Sequence, residues 1–303
     1  MAAEPMRGVY PILQTPFDTQ GRLDEESLQR LVEFEIQAGV HGLGVALGSE
    51  CFRLSEAERA RMTRLIADQA RGRVPVVINT SAPGTDLAVL YSQQAADNGA
   101  DALMLTPPIP LGMGGAGTPA DIRAYFRAVS DAVPLPIFIQ SQGANPVSPA
   151  LAQQIAAECE HVRYLKEEAP PAAQRVGEAV RAAGDVLTVF GGAGGTYFIE
   201  ELRRGAQGTM PGCSHPEVFV RMWDLFHAGD EEAAIAEHAY VQRFARVSAL
   251  LRDGFFHLHK ELLRQRGIIA TTVIRAPAAP FPDDPLLRRE VQEVIDEYIA
   301  HVS

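Results

Sequence analysis

The run His161-Val162-Arg163-Tyr164-Leu165-Lys166-Glu167-Glu168 carries short apolar and β-favouring residues up to a lysine, then stops on two glutamates. In a strand, successive side chains leave opposite faces, so Tyr164 and Lys166 go one way and Leu165 and Glu167 the other. Seven further runs have the same character: residues 8–13, 42–47, 75–79, 102–106, 136–140, 187–190 and 208–210. Between them lie stretches with helical spacing, such as 25–38, where Leu28, Leu31, Val32 and Ile36 share one face. The others are 55–70, 85–98, 119–132, 148–158, 171–183 and 195–204. Eight strands alternating with helices predict a parallel sheet closed into a (β/α)8 TIM barrel.

Past about residue 215 the strands stop and helical patterns continue over 216–228, 230–252, 255–266 and 285–301. The expected organisation is therefore a barrel over 1–229 and a C-terminal helical region over 230–303. Helix boundaries are signposted. Ser55 precedes Glu58 by three, a capping-box spacing, and Ser148-Pro149 puts proline where a missing N–H costs nothing. Gly39, Gly99 and Gly184 stand where helices are expected to end in a left-handed turn.

Composition excludes several classes. The net charge of −11 opposes a general nucleic-acid or acidic-membrane partner. No stretch approaches the roughly 20 apolar residues of a membrane span, and the first residues lack the apolar core of a signal peptide. Cys51, Cys159 and Cys213 form neither a disulfide framework nor a zinc spacing, so a reducing cytoplasm is the default setting. No HxxxH-type or His-Cys cluster calls for a metal. His257 and His259 lie two apart in a predicted helix, where their side chains diverge. No cofactor is expected.

Only two of the 27 basic residues are lysine, Lys166 and Lys260; the other 25 are arginine. Arginine replaces lysine wherever only a positive charge is needed. It cannot lose its proton or form an imine, and lysine can. A lysine beside Glu167 and Glu168 is also what a plain salt bridge looks like. Its place at a strand end favours chemistry, because reactive groups of β/α barrels sit at the C-terminal ends of the strands. An inward lysine among apolar walls is desolvated, which favours the free amine that attacks a carbonyl. Lys260, in a helical stretch, suits packing or an ion pair.

Two turns supply the remaining candidates. Ala46-Leu47-Gly48-Ser49-Glu50 offers backbone N–H groups and a hydroxyl suited to a carboxylate, with Glu50 either a buried hydrogen-bonding residue or a proton carrier. Phe190-Gly191-Gly192-Ala193-Gly194-Gly195 lacks a complete nucleotide fingerprint. Close backbone approach to a small ligand, at Gly191, is the more economical expectation.

In this order the motifs resemble the dihydrodipicolinate synthase and N-acetylneuraminate lyase family across nearly the whole chain. Thr15-Pro16-Phe17, Leu47-Gly48-Ser49-Glu50, Pro107-Pro108, Tyr164-Leu165-Lys166-Glu167 and Gly205-Ala206-Gln207-Gly208 carry the likeness, and residues 255–267 resemble the family's tail helix. The resemblance implies a small-molecule 2-oxo acid bound as an imine to Lys166. It implies Gly48 and Ser49 on the substrate carboxylate, Met210 over the pyruvyl group, and a homo-oligomer, tetramer or dimer.

The departures are informative. Where the family ends its fifth strand with a proton-shuttling tyrosine, this chain has Gln140, and where the synthase branch has tyrosine after the two prolines it has Ile109. Leu47 and Gly48 replace paired hydroxyls, and Ala144 or Asn145 stands where an arginine is expected. Gln140, the Ser-Glu turn and Lys166-x-Glu168 are more similar to the 2-keto-3-deoxy-pentonate dehydratases. The leading expectation is thus a class I lyase that dehydrates a 2-keto-3-deoxy sugar acid, with Lys166 and Gln140 catalytic. Ser49, water ordered by Gln140, Tyr10, Tyr164 and Tyr197 are the candidate proton carriers. The alternatives are a pyruvate-dependent aldolase and a non-catalytic 2-oxo-acid-binding barrel. Pyruvate with borohydride is expected to add mass to the peptide containing Lys166 and not to that containing Lys260. Lys166→Arg is expected to be as inactive in this trapping as Lys166→Ala; label on Lys260 rejects the assignment.

Overall fold

The computed structural model describes residues 4–108 and 117–302, so Ile109 and most of the glycine-rich loop 111–118 lie outside the described residues. Its eight strands are β1 (Gly8–Val9), β2 (Leu43–Val45), β3 (Val76–Asn79), β4 (Ala102–Leu105), β5 (Ile137–Ser141), β6 (Val162–Glu167), β7 (Thr188–Phe190) and β8 (Gly208–Thr209). Strands β2 to β7 form one curled parallel sheet in chain order, and β1 pairs in parallel with β8. Single bridges Ile12↔Gly44 and Gly191↔Thr209 tie the two sheets to each other. The run at 8–13 yields only two residues of regular ladder because Pro211 opposite it, and Pro11 on the side facing β2, have no N–H to donate; pairing resumes at Ile12, whose N–H donates to Pro211 O at 2.7 Å.

Period-two alternation sorts the strand side chains into two cores. Tyr10, Met104, Phe138, Tyr164, Phe190 and Met210 pack together on the inner face. There Phe138 stacks on Tyr164 at 4.3 Å and meets Phe190 edge-on at 5.4 Å. Leu103, Leu105, Ile137, Ile139, Leu165 and Val189 face outward onto the helices. Removing one inner ring, for example Phe138, would cost about 3–5 kcal/mol, the usual range for a buried aromatic cut to alanine.

The covering helices are α1 (Glu25–Gln37), α2 (Glu56–Ala70), α3 (Thr85–Asp97), α4 (Pro119–Ala132), α5 (Pro149–Glu158), α6 (Ala172–Ala183) and α7 (Phe198–Leu202). Ser55 and Glu58 make the expected reciprocal capping box, and Ser148 accepts from Leu151 N. Two expectations are corrected. The helix expected over 195–204 begins only at Phe198, because Gly194 and Gly195 hold φ of 69° and 77°, left-handed values that no helix can start on. Gly184 is right-handed, with φ −68°. A side chain there would place its Cβ 2.5 Å from Val180 O, so crowding rather than handedness accounts for the glycine.

Helices α8 (Pro216–His227), α9 (Glu231–Ser248), α10 (Gly254–Gln265) and α11 (Pro285–Val302) complete the chain. They share a second core in which Phe198 and Phe219 join Val241, Leu258, Val291 and Ile295. The α10 helix reaches the end of β2 through an ion pair. Lys260 Nζ donates to Glu50 Oε1 at 2.5 Å and to Val273 O at 2.7 Å, and both charged side chains are fully buried. The other oxygen of Glu50 accepts from Arg53 and from the Arg275 N–H, at 2.9 and 3.0 Å. Glu50 is thus a buried structural acceptor, and Lys260 is its ion-pair partner. A buried pair adds little over an apolar replacement, yet losing one partner strands the other charge. Lys260→Met is therefore expected to lower the unfolding free energy by about 3–5 kcal/mol in urea titration; an unchanged midpoint contradicts this.

Candidate active site

Lys166 stands near the C-terminal end of β6 on the same side as Tyr164, and only 3% of it is exposed. It is neither surface-exposed nor walled by carbon alone. Its Nζ lies 3.1 Å from Glu168 Oε1. Glu167, one residue earlier, points the other way, onto Ser141, Ala169 N and Arg175. Burial leads the effects on the Glu167 carboxyl and pushes it upward, Arg175 opposing.

Gln140 is the neighbour of Lys166 in the β5–β6 register. Its Nε2 donates to Glu168 Oε2 at 2.7 Å, and its Oε1 lies 3.5 Å from Asn79 Nδ2. The Ala193 N–H donates to Glu168 Oε1 at 3.0 Å. Glu168 is therefore held by the Lys166 amino group, an amide and a backbone N–H, a donor set suited to a carboxylate. The loop that supplies Ala193 must pass very close: a Cβ on Gly192 would sit 2.6 Å from the Glu168 side chain.

These groups open on a cavity of about 360 Å³, lined by Lys166, Gln140, Glu168, Gly48, Met210 and Phe255 with Ile12, Leu47, Gln142 and the Ala193-Gly194 step. That size suits a small metabolite. Of the residues singled out from the sequence, Lys166, Gln140, Gly48 and Met210 meet here. Ser49 does not line the cavity; its Oγ accepts from Ala46 N at 3.1 Å inside the turn. Gly191 also lies outside the lining, bonded to β8 through Gly208 O and Met210 N. Among the described residues no tyrosine lines the cavity. Tyr10 is buried in the inner core, the Tyr164 hydroxyl accepts from Met6 N at 3.0 Å, and Tyr197 is 45% exposed. His257 and His259 diverge as expected, onto Ala279 O and Ser214. No group of three potential metal-binding side chains occurs among the described residues.

Neither Glu168, which entered only as a neighbour of Lys166 and as part of a motif, nor Phe255 was given a role in the site from the sequence. The signal for Glu168 was available, since residues 166 and 168 fall on one face by the same alternation that turned Lys166 inward. Phe255 gives none, because it arrives from α10, about ninety residues away in the chain.

The model of the Dihydrodipicolinate synthetase family matches residues 5–297. The chain belongs to this family. It is 31% identical to an L-2-keto-3-deoxyarabonate dehydratase of Azospirillum brasilense over 281 residues, 91% of this chain and 89% of that one. It is 27% identical to an N-acetylneuraminate lyase of Citrobacter koseri, covering 97% and 99% of the two chains. Among solved structures, YagE, a prophage protein from E. coli K12 crystallised with pyruvate, superposes with a TM-score of 0.89 at 23% identity over 98% of this chain and 99% of that one. This member of the dihydrodipicolinate synthetase family is an enzyme of the lyase class.

One carboxyl of this lyase lies hidden behind the site. Glu201, on α7, fills the space a Cβ on Gly191 would need, with its Oε2 1.7 Å from that point. Both its oxygens are buried without a hydrogen-bond partner. Burial, then the charge of Glu168, pushes its carboxyl up to about 8. A folded-state value raised from 4.5 means that Glu201 contributes fully below about pH 4.5 and loses that contribution as pH rises towards about 8. Glu201→Gln, which cannot ionise, is expected to raise the melting temperature at pH 8 and to leave it nearly unchanged at pH 4.5. A gain of equal size at both pH values rules this account out.

Proposed function

We propose that this lyase is a Schiff-base dehydratase of a 2-keto-3-deoxy sugar acid, working in a closed (β/α)8 barrel. The observation that carries the reading is the carboxylate of Glu168, 3.1 Å from Lys166 Nζ and aimed by Gln140. Lys166 attacks the C2 carbonyl as the free amine, and water departs to leave an imine. Once protonated, the imine nitrogen is an electron sink two bonds from C3. A base next to that nitrogen is therefore next to the C3 hydrogens. Glu168 takes one of them, and the C3–H electron pair moves into an enamine. The enamine returns its electrons to expel the C4 hydroxyl, which leaves as water with the proton Glu168 has gained. Loss of a C5 proton and return of a proton to C3 then give the C4=C5 enol, which passes its hydroxyl proton to C4 to become the C5 carbonyl, and hydrolysis of the imine by water frees the 2,5-dioxo acid and Lys166.

Gln140 cannot carry a proton at neutral pH and serves to orient Glu168. Retro-aldol cleavage needs instead a base at the C4 hydroxyl, further along the chain. Similarity to the L-2-keto-3-deoxyarabonate dehydratase of Azospirillum supports the dehydratase reading, and similarity to the N-acetylneuraminate lyase of Citrobacter supports the aldolase alternative.

Incubation with 2-keto-3-deoxy-pentonates and -hexonates is expected to yield a semialdehyde without pyruvate, and stoichiometric pyruvate in a lactate-dehydrogenase assay overturns the proposal. Glu168→Gln is expected to retain borohydride-trapped pyruvate on Lys166 while turnover falls about 10²–10⁴-fold, the usual contribution of a general base. Turnover within a few-fold of the parent shows that another group moves the proton.

A further inference from the structure

A second compartment lies beside the imine cavity. It measures about 210 Å³ and shares Ala193, Gly194 and Phe255 with that cavity. Its other walls are Thr196 and side chains brought by the C-terminal helices, among them Phe244, Ser248 and His259. None of the described lining residues carries a formal charge apart from the ionisable rings of His215 and His259. Those rings lie parallel at 5.4 Å, and the Ser214 hydroxyl sits between their Nδ1 atoms, 2.9 Å from one and 2.7 Å from the other. His215 is 3% exposed, and its Nε2 is buried with no partner. Burial drives His215 down to about 4 and His259 well below the ordinary range, so both rings are neutral at physiological pH. The compartment thus combines apolar walls with uncharged hydrogen-bonding groups.

Phe255 is the partition. Its ring packs on His259 at 4.5 Å and lies over Gly48, where an added Cβ would come within 2.8 Å of Phe255 Cε1. The missing side chain at position 48 is what lets the ring reach across. Ala193, bonded to Glu168, and with it Gly194 and Phe255, are walls common to both spaces, so a chain held at C2 by Lys166 that extends past Glu168 comes to their shared boundary.

We propose that this compartment receives the far end of the substrate chain, that it takes an uncharged hydroxylated or short aliphatic tail, and that Phe255 is the specificity-determining residue setting how long the tail can be. The inference rests on the imine at Lys166 and does not require the reaction to be a dehydration. A second carboxylate at the tail finds no cation among the described walls and must be desolvated against neutral rings, which is costly.

The test is borohydride trapping at Lys166, read by intact mass, with straight-chain 2-oxo acids from pyruvate to 2-oxooctanoate and with 2-oxoadipate. The quantity compared is trapping of each acid relative to pyruvate on the same protein. Phe255→Ala is expected to raise the 2-oxohexanoate-to-pyruvate ratio about tenfold or more, the scale of one or two methylenes gaining an apolar site. Filling the compartment from α9 with Ala245→Phe in the Phe255→Ala background is expected to reverse that gain, which a loosened or partly unfolded site would not do. The 2-oxoadipate ratio is expected to stay low throughout. A chain-length profile that is the same in parent and Phe255→Ala overturns the proposal, as does a 2-oxoadipate gain equal to that of 2-oxohexanoate. If the parent traps no pyruvate at Lys166, the imine reading itself fails and this inference falls with it.

Discussion

The contact on which the rest of the site depends is the one between Lys166 and Glu168, 3.1 Å apart at the end of β6. Lys166 is in β6 and Glu168 follows its last residue with one residue between them, so extended backbone turns both to one face and the pairing needs no long-range coincidence. Holding it does. Gln140 from β5 and the N–H of Ala193 from the loop after β7 fasten both carboxylate oxygens, so three neighbouring elements converge on one side chain. A carboxylate so held cannot swing into solvent, and a lysine beside it cannot choose another partner. Preorganisation of this kind removes reorganisation from the reaction itself.

The glycine-rich loop after β7 follows from the same contact. It runs between two carboxyl groups, Glu168 on the cavity side and Glu201 behind, and a Cβ on Gly192 or Gly191 would strike one or the other. The two carboxyls have opposite environments: Glu168 is held by three donors, whereas Glu201 has only the weak influence of the Gly192 N–H and no well-formed hydrogen bond. A single loop of small residues thereby separates a charged acceptor from an acid kept neutral by burial. Such a loop resembles a phosphate cradle in sequence, and its glycines are accounted for by the protein's own side chains.

The two lysines of this arginine-rich chain invite comparison. Both are buried on a glutamate. Lys166 faces a cavity, whereas Lys260 is enclosed by Glu50, Val273 O and the face of Phe17, 4.7 Å away. A guanidinium is too broad and carries too many donors for either place. The scarcity of lysine therefore marks two positions that hold a compact head group, one facing the cavity beside Glu168 and one fastening α10 to the end of β2. That fastening also carries Phe255 to the mouth of the cavity, so the helical region shapes the site without supplying any of its charges.

What the sequence by itself determined is everything that depends on period and punctuation. The order and approximate limits of the eight strands, most helix starts, and the inward turn of Lys166 and Gln140 follow from alternation, caps and breakers, which are local. That Gln140 stands in place of a tyrosine was legible only through the resemblance to the family, not from period or punctuation. Glu168 lay within reach of the same alternation that turned Lys166 inward. The tertiary structure alone decided what depends on residues far apart meeting. It put Ser49 Oγ inside its own turn, gave Gly191 to Glu201, and left Gly184 right-handed because Val180 O crowds it. It brought Phe255 over Gly48. Spacing along a chain specifies which face a side chain leaves by, but the neighbour that it meets there belongs to another element, and only packing supplies that partner.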